Sequence, residues 1–98
     1  MNIKTKTENS KLSVSISGRI DTVTAPEFDS QVKSKLDGIS ELVLDFANVN
    51  YISSAGLRVL LMLQKKMNKQ GSMKLINVNE TIVDVFEVTG FSDILTIE

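Results

Sequence analysis

Residues 41–63 read ELVLDFANVNYISSAGLRVLLML, and the rest of the chain can be organised around this stretch. An apolar run, Leu42-Val43-Leu44, stops at Asp45. A short polar segment follows and reads as a loop, and Ser53-Ser54 then open a second apolar segment with the character of a helix. The order is strand, loop, serine, helix. It places two hydroxyls at the first turn of a helix, where backbone N–H groups lack intrahelical partners and the positive end of the macrodipole faces outward. A group that gains negative charge there is well placed.

Upstream, residues 12–17, LSVSIS, put Leu12, Val14 and Ile16 on one face and three serines on the other, the period-two pattern of a half-solvated strand. Residues 2–7, NIKTKT, alternate more weakly, and Glu8-Asn9-Ser10-Lys11 is a polar link, so the two segments predict an antiparallel hairpin. Gly18-Arg19-Ile20-Asp21 ends the second strand. Thr24-Ala25-Pro26-Glu27 carries helix-start signals: a threonine cap, a glutamate three residues on, and a proline in the first turn. That helix runs from Ala25 to a stop at Gly38, with Phe28, Val32, Leu36 and Ile39 at helical spacing.

Downstream, Leu57 and Val59 to Leu63 surround more of the second helix than one core-facing stripe needs, which leaves some of that surface for another protein. Gly71 ends it. Residues 73–78 form a further strand, and Asn79 caps a third helix with Ile82, Val85, Phe86 and Thr89 facing inward. Gly90-Phe91 is a left-handed exit, and residues 94–97 supply a last strand. The expected fold is α/β, in the order β-β-α-β-α-β-α-β, with parallel connections in a mixed sheet.

A chain of 98 residues with 42% apolar content has room for one domain, here residues 1–98, and one core. Its formal net charge of −1, with both signs interspersed, gives no field that would draw nucleic acid or an anionic membrane. Its apolar runs are far too short to span a bilayer, and the first ten residues lack the apolar core of a signal peptide, so the expected location is the cytoplasm. With no cysteine and no histidine, thiol nucleophiles, ordinary zinc sites and imidazole-activated serines are excluded. Carboxylates, hydroxyls and lysines remain, and the acids show no metal-loop spacing. An enzyme is not expected. A receiver-like phosphoacceptor at Asp45 is the one enzymatic reading left, and it lacks an acidic pair after the first strand.

A serine at a helix start is most often only a cap. Here Ala55-Gly56 follow, and two small residues let another backbone approach while a hydroxyl stays reachable. Four pieces in this order, Gly18-Arg19-Ile20-Asp21, Leu42-Val43-Leu44-Asp45, Tyr51 to Leu57 and Thr89-Gly90-Phe91, resemble the STAS domain of bacterial anti-sigma factor antagonists, over essentially the whole chain.

The resemblance implies helices packed mainly on one face of the sheet, and a serine at the start of the second helix that an anti-sigma factor serine kinase phosphorylates. It also implies that the unmodified protein binds the anti-sigma factor and frees the sigma factor, that the phosphorylated form lets go, and that a PP2C-type serine phosphatase resets the cycle. ATP and Mg²⁺ belong to those partners, and the antagonist itself needs no cofactor or metal. The family motif is Asp-Ser-(Ser or Thr)-Gly. Aligned on Gly56, it puts the acceptor at Ser54 and Ser53 in the aspartate position. The surface it implies for the partner comprises Asp21, Thr22, Ile52, Ser53, Ser54, Ala55, Gly56, Leu57 and Arg58. Asp21 reads equally as a turn acid, Arg58 as a residue of a wet helix face, and the motif suggests a monomer. The substitution of Ser53 for aspartate keeps a second reading open: a constitutive STAS adaptor in a lipid-transport or stress-sensing complex, without phosphate.

Overall fold

In the computed structural model, which describes all of residues 1–98, β1 spans Asn2–Glu8 and β2 spans Lys11–Ile20. They pair antiparallel from Asn2↔Ser17 to Glu8↔Lys11, around a turn in which Asn9 takes a left-handed φ of 56°. Asparagine tolerates that conformation better than most residues do. Leu12, Val14 and Ile16 are buried and the serines between them half-exposed, as their alternation predicts. Gly18 does not end β2. It sits inside the strand at φ 100°, where pairing with the next strand slips, and the chain continues to the fully buried Ile20.

Helix α1 spans Ala25–Lys33, shorter than its apolar spacing predicts. The Ser34 hydroxyl donates to the Gln31 carbonyl at 3.0 Å, a local bond of the kind that competes with helix continuation. Leu36 and Ile39 still reach the core, from turns rather than from a helix. Nor does Thr24 cap the helix through its side chain. Its hydroxyl accepts from the Asp21 N–H and donates to the Arg19 carbonyl, both at 2.8 Å. The Thr24 N–H, the donor a capping glutamate needs, is held by Asp21 Oδ1 at 3.0 Å. Glu27 bonds Gln31 instead.

Strand β3 spans Glu41–Ile52, so the segment read as a polar loop is strand. Val49 and Ile52 turn inward while Asn48, Asn50 and Tyr51 stay outside, and pairing with β2 passes two register shifts on the way to Ile20↔Ile52. Such bulges interrupt the simple alternation by which a strand is recognised in sequence. Helix α2 (Ser54–Gln70), β4 (Ser72–Ile76) and α3 (Glu80–Thr89) follow. The sheet order is β1-β2-β3-β4, with β3 parallel to both neighbours, and the order of elements from β1 to α3 is the expected one.

Leu42, Leu44 and Phe46 of β3 are fully buried on the helical side, with Leu12, Val14 and Leu75 of the flanking strands and Leu60, Leu63 and Met67 of α2. The other face carries no helix: Lys4, Lys6, Ser13, Ser15 and Val43 line a shallow open depression of about 370 Å³ there. β1 is an outer strand, with Lys4 and Lys6 exposed. Most of the apolar girth of α2 is used internally. Met62 alone stands well out, 45% exposed, whereas Gln64 is unexpectedly buried and donates to Asn68. No helix is long and apolar enough to cross a membrane.

The expected final strand shrinks to one parallel bridge, Ile97 to Leu75, after a 3-10 turn at Phe91–Asp93. Leu95 is drawn into the core, and the tail's backbone bonds β4 only at Leu75, with the Glu98 carboxylate 3.7 Å from Lys74 Nζ. At the start of α3, Asn79 Oδ1 accepts from the Ile82 N–H at 3.0 Å while its Nδ2 donates to the Val49 carbonyl at 2.9 Å. One side chain thus caps a helix and ties it to β3. Gly90 makes the left-handed exit at φ 82°, but Thr89 is exposed, its hydroxyl returned to the Val85 carbonyl rather than facing inward. Asn79→Ala, which loses both bonds, should lower stability by about 1–2 kcal/mol in urea unfolding. Asn79→Ser, able to cap but too short to reach Val49, should fall between.

Candidate functional site

At the paired ends of β2 and β3 the chain enters α2 with no intervening loop. The Ser53 N–H donates to the Ile20 carbonyl at 2.8 Å, which fixes residue 53 beside the exit of β2. Ser53 is extended (φ −93°, ψ 174°), its Oγ accepts from the Gly56 N–H at 3.3 Å, and its carbonyl takes the Leu57 N–H at 2.9 Å. Ser53 is therefore the N-cap, a position that serine fills about as well as aspartate. Ser54 is the first helical residue and is exposed. The two hydroxyls differ in employment: one closes the helix end, and the other faces solvent.

Gly56 sets how closely the helix can approach the strands. A Cβ there would lie 2.7 Å from both Ile20 Cγ2 and Ile52 Cγ1 and 3.2 Å from the Ile20 carbonyl oxygen. Any side chain would push the start of α2 off the strand ends.

Beside this junction, Asp21 organises the segment between β2 and α1. Its Oδ1 accepts from the Val23 and Thr24 N–H groups, each at 3.0 Å, and lies 3.2 Å from the Thr24 hydroxyl, whose one proton it shares with the nearer Arg19 carbonyl. Its carboxyl is held below its ordinary value near 3.8, first by the Thr24 N–H bond, which desolvation opposes, and then by the Thr24 hydroxyl, the Val23 N–H and the Arg19 charge. Arg19 Nε lies 3.7 Å from Asp21 Oδ2, and the Arg19 guanidinium sits 4.0 Å from the centre of the Tyr51 ring. A stacked cation of this kind is weakly favourable at the surface.

The residues singled out from sequence come together at this end of the molecule, but they are not equally accessible. Thr22, Ser54 and Arg58 are exposed; Asp21, Ser53 and Ala55 are half-buried. Ile52, Gly56 and Leu57, expected on the partner surface, are buried and support it from beneath. Between α1 and α2 an open groove of about 360 Å³ is lined by Thr22, Pro26 and Asp29 on one side and by Ala55, Arg58 and Met62 on the other. Pro26 and Asp29 of this groove, and the pairing of the exposed Arg19 and Tyr51, escaped sequence reasoning, whereas Thr22 was named from it. The adjacency of Tyr51 to the serine motif was the only available signal for the pair.

Asp45 does not stand at a strand end. It lies within β3, with Oδ1 accepting from the Ala47 N–H at 2.9 Å and from Asn77 Nδ2 at 3.1 Å. That placement removes the basis for a receiver-like phosphoacceptor.

The chain is thus a mixed sheet covered by helices on one face, with an exposed serine at the entrance to α2 and a groove beside it. The chain belongs to the STAS domain family, which it matches over residues 2–98. It is similar to the anti-sigma-B factor antagonist of Bacillus subtilis (strain 168), with 32% identity over 98 residues, covering 99% of this chain and 90% of that one. In fold it is similar to the Bacillus anti-sigma factor antagonist SpoIIAA. The TM-score is 0.84 for the unphosphorylated form, over 99% of this chain and 88% of that one, at 13% identity. For the phosphorylated form it is 0.77, over 99% and 91%, also at 13% identity.

Two outcomes test the site's construction. Gly56→Ala should destabilise the domain by about 1–3 kcal/mol through overpacking against Ile20 and Ile52, measured by urea unfolding. Because the Asp21 carboxyl titrates lower in the folded chain than in the unfolded one, its contribution is present above about pH 4 and is lost as pH falls through the lowered value. Asp21→Asn, which keeps an Oδ1 acceptor, should show a shallower loss of stability between pH 5 and pH 2 than the parent.

Proposed function

We propose that the protein is an anti-sigma factor antagonist whose attachment to an anti-sigma factor serine kinase is switched off by phosphorylation of Ser54. The observation that carries this reading is the division of labour between the two serines. Ser53 is committed to the cap, and Ser54 is exposed beside the α1–α2 groove. In this reading the accessible remainder of the site, the exposed Thr22, Ser54 and Arg58 with the half-buried Asp21 and Ala55, meets the kinase.

The chemistry belongs to the partner. The Ser54 Oγ–P bond forms as the bond between the γ-phosphorus of ATP and the oxygen bridging to the β-phosphate breaks; ADP leaves, and the hydroxyl proton passes to a base of the kinase. A PP2C-type phosphatase returns the serine by hydrolysis. The antagonist contributes the acceptor and the docking surface, works in the cytoplasm, and catalyses nothing itself. A phosphate adds roughly −1.5 to −2 charges at neutral pH, and an interface fitted to a neutral hydroxyl would have to accommodate them desolvated.

Ser53 in the aspartate position of the motif favours one other reading, the constitutive adaptor of a lipid-transport or stress-sensing complex. The substitution preserves the cap and removes a charge, so the surface could serve a partner indifferent to phosphate.

Incubation with the anti-sigma factor kinase and ATP should add one phosphate to the parent and none to Ser54→Ala, by intact-mass spectrometry. Ser54→Asp should bind that kinase at least roughly tenfold more weakly, and Ser54→Ala about as well as the parent, by calorimetry. Equal phosphate incorporation into the parent and Ser54→Ala would reject the site. A complex with its native partner that ignores Ser54→Asp would favour the adaptor.

A further inference from the structure

Phosphate at Ser54 would need an internal counter-charge if it is to remain ordered at the surface, and the chain has only two arginines that could provide a guanidinium. Arg19 is already engaged, stacked on Tyr51 and next to Asp21. Arg58 is not. It is exposed on α2 and takes part in none of the ion pairs, which join Lys6 to Glu8, Arg19 to Asp21, Lys33 to Asp29 and Lys74 to Glu98.

Arg58 follows Ser54 by four residues on a continuous helix, so the two side chains rise from the same face, with Cβ atoms about 5–6 Å apart. The acid stands N-terminal to the base, the more favourable orientation for such a pair. A guanidinium can meet two phosphate oxygens at once, a geometry that a lysine ammonium lacks. The first turn of α2 contains no acidic residue, and its cap is a neutral serine, so nothing on the helix itself competes for the cation.

We propose that Arg58 is the receptor for the Ser54 phosphate within the same helix, and that phosphorylation therefore remodels the docking surface at two places. The proposal rests on Ser54 being the modified residue. In the unmodified protein the Arg58 side chain lines the α1–α2 groove opposite Asp29 and Thr22. In the phosphorylated protein the guanidinium folds back one turn over the phosphate. The partner then loses a neutral hydroxyl and a groove-lining cation in one event. Arg58 is a positioning residue for the switch and takes no part in phosphoryl transfer.

Phosphoserine inserted at position 54 during synthesis makes the test independent of any kinase. The ³¹P titration of this protein should have its midpoint roughly 0.3–0.5 pH units below that of the same protein carrying Arg58→Gln, with Arg58→Lys between them. The other charges around the site, Asp21 after β2, Asp29 on α1 and the engaged Arg19, are common to all three proteins, so the difference isolates Arg58. It should shrink in 1 M NaCl. The Arg58 Nε–H resonance should move with the phosphate titration, and that of Arg19 should not. Circular dichroism of the unphosphorylated variants, matching the parent, would establish that the fold is intact. Identical midpoints for the parent and Arg58→Gln, or an Arg58 resonance blind to the phosphate, would overturn the proposal. Phosphate incorporated equally into Ser54→Ala by the kinase would instead reject Ser54 as the natural acceptor, a separate result from the Arg58 titration.

Discussion

The close approach of α2 to the ends of β2 and β3 governs the candidate site, and it depends on the missing side chain at residue 56. With no Cβ in the way, the Ile20 Cγ2 methyl and the Ile52 Cγ1 methylene close directly against the helix backbone. The same approach brings the Ser53 N–H onto the Ile20 carbonyl and sets the serine hydroxyl to bond the Gly56 N–H. Packing and capping therefore reinforce each other. The exposed position of Ser54 follows from both, because the residue after a fixed cap on a fixed helix has little freedom in where it points.

Much of the fold was legible because the burial pattern of each element survives in its sequence. The alternation of Leu12, Val14 and Ile16, the helical spacing of Phe28 and Val32, and the Asn79 and Gly90 signals of α3 all correspond to observed geometry. What was not legible depended on contacts made elsewhere. Asn48, Asn50 and Tyr51 look like a loop because they are polar, yet β2 pairs Ser17 with Asn48 and Arg19 with Tyr51, and Asn50 is the residue passed over at the second register shift. Thr24 looks like a cap because it precedes Pro26 and Glu27, yet its hydroxyl is taken up by the Asp21 N–H and the Arg19 carbonyl. The last strand looks like a strand because it is apolar, yet Leu95 is needed inside.

The same distinction applies to the candidate site. Ser53, Ser54 and Gly56 are neighbours in sequence, and their local chemistry announces a helix entrance. Which serine is free is a geometric matter, decided by one hydrogen bond of 3.3 Å. The motif's aspartate and this chain's serine are interchangeable as caps and differ in charge, so the departure alters electrostatics without disturbing architecture. The groove beside α2 required α1 to be placed against it, and no periodicity in either segment encodes that meeting.

The outer strand β1 bears on how this small domain behaves among its own copies. Its free edge exposes backbone donors and acceptors that another strand could match, and the sheet surface next to it has no helical cover. Lys4 and Lys6, two residues apart and both exposed, would bring ammonium groups of like sign together if two such edges joined in register. The domain is in this way discouraged from polymerising through its own sheet.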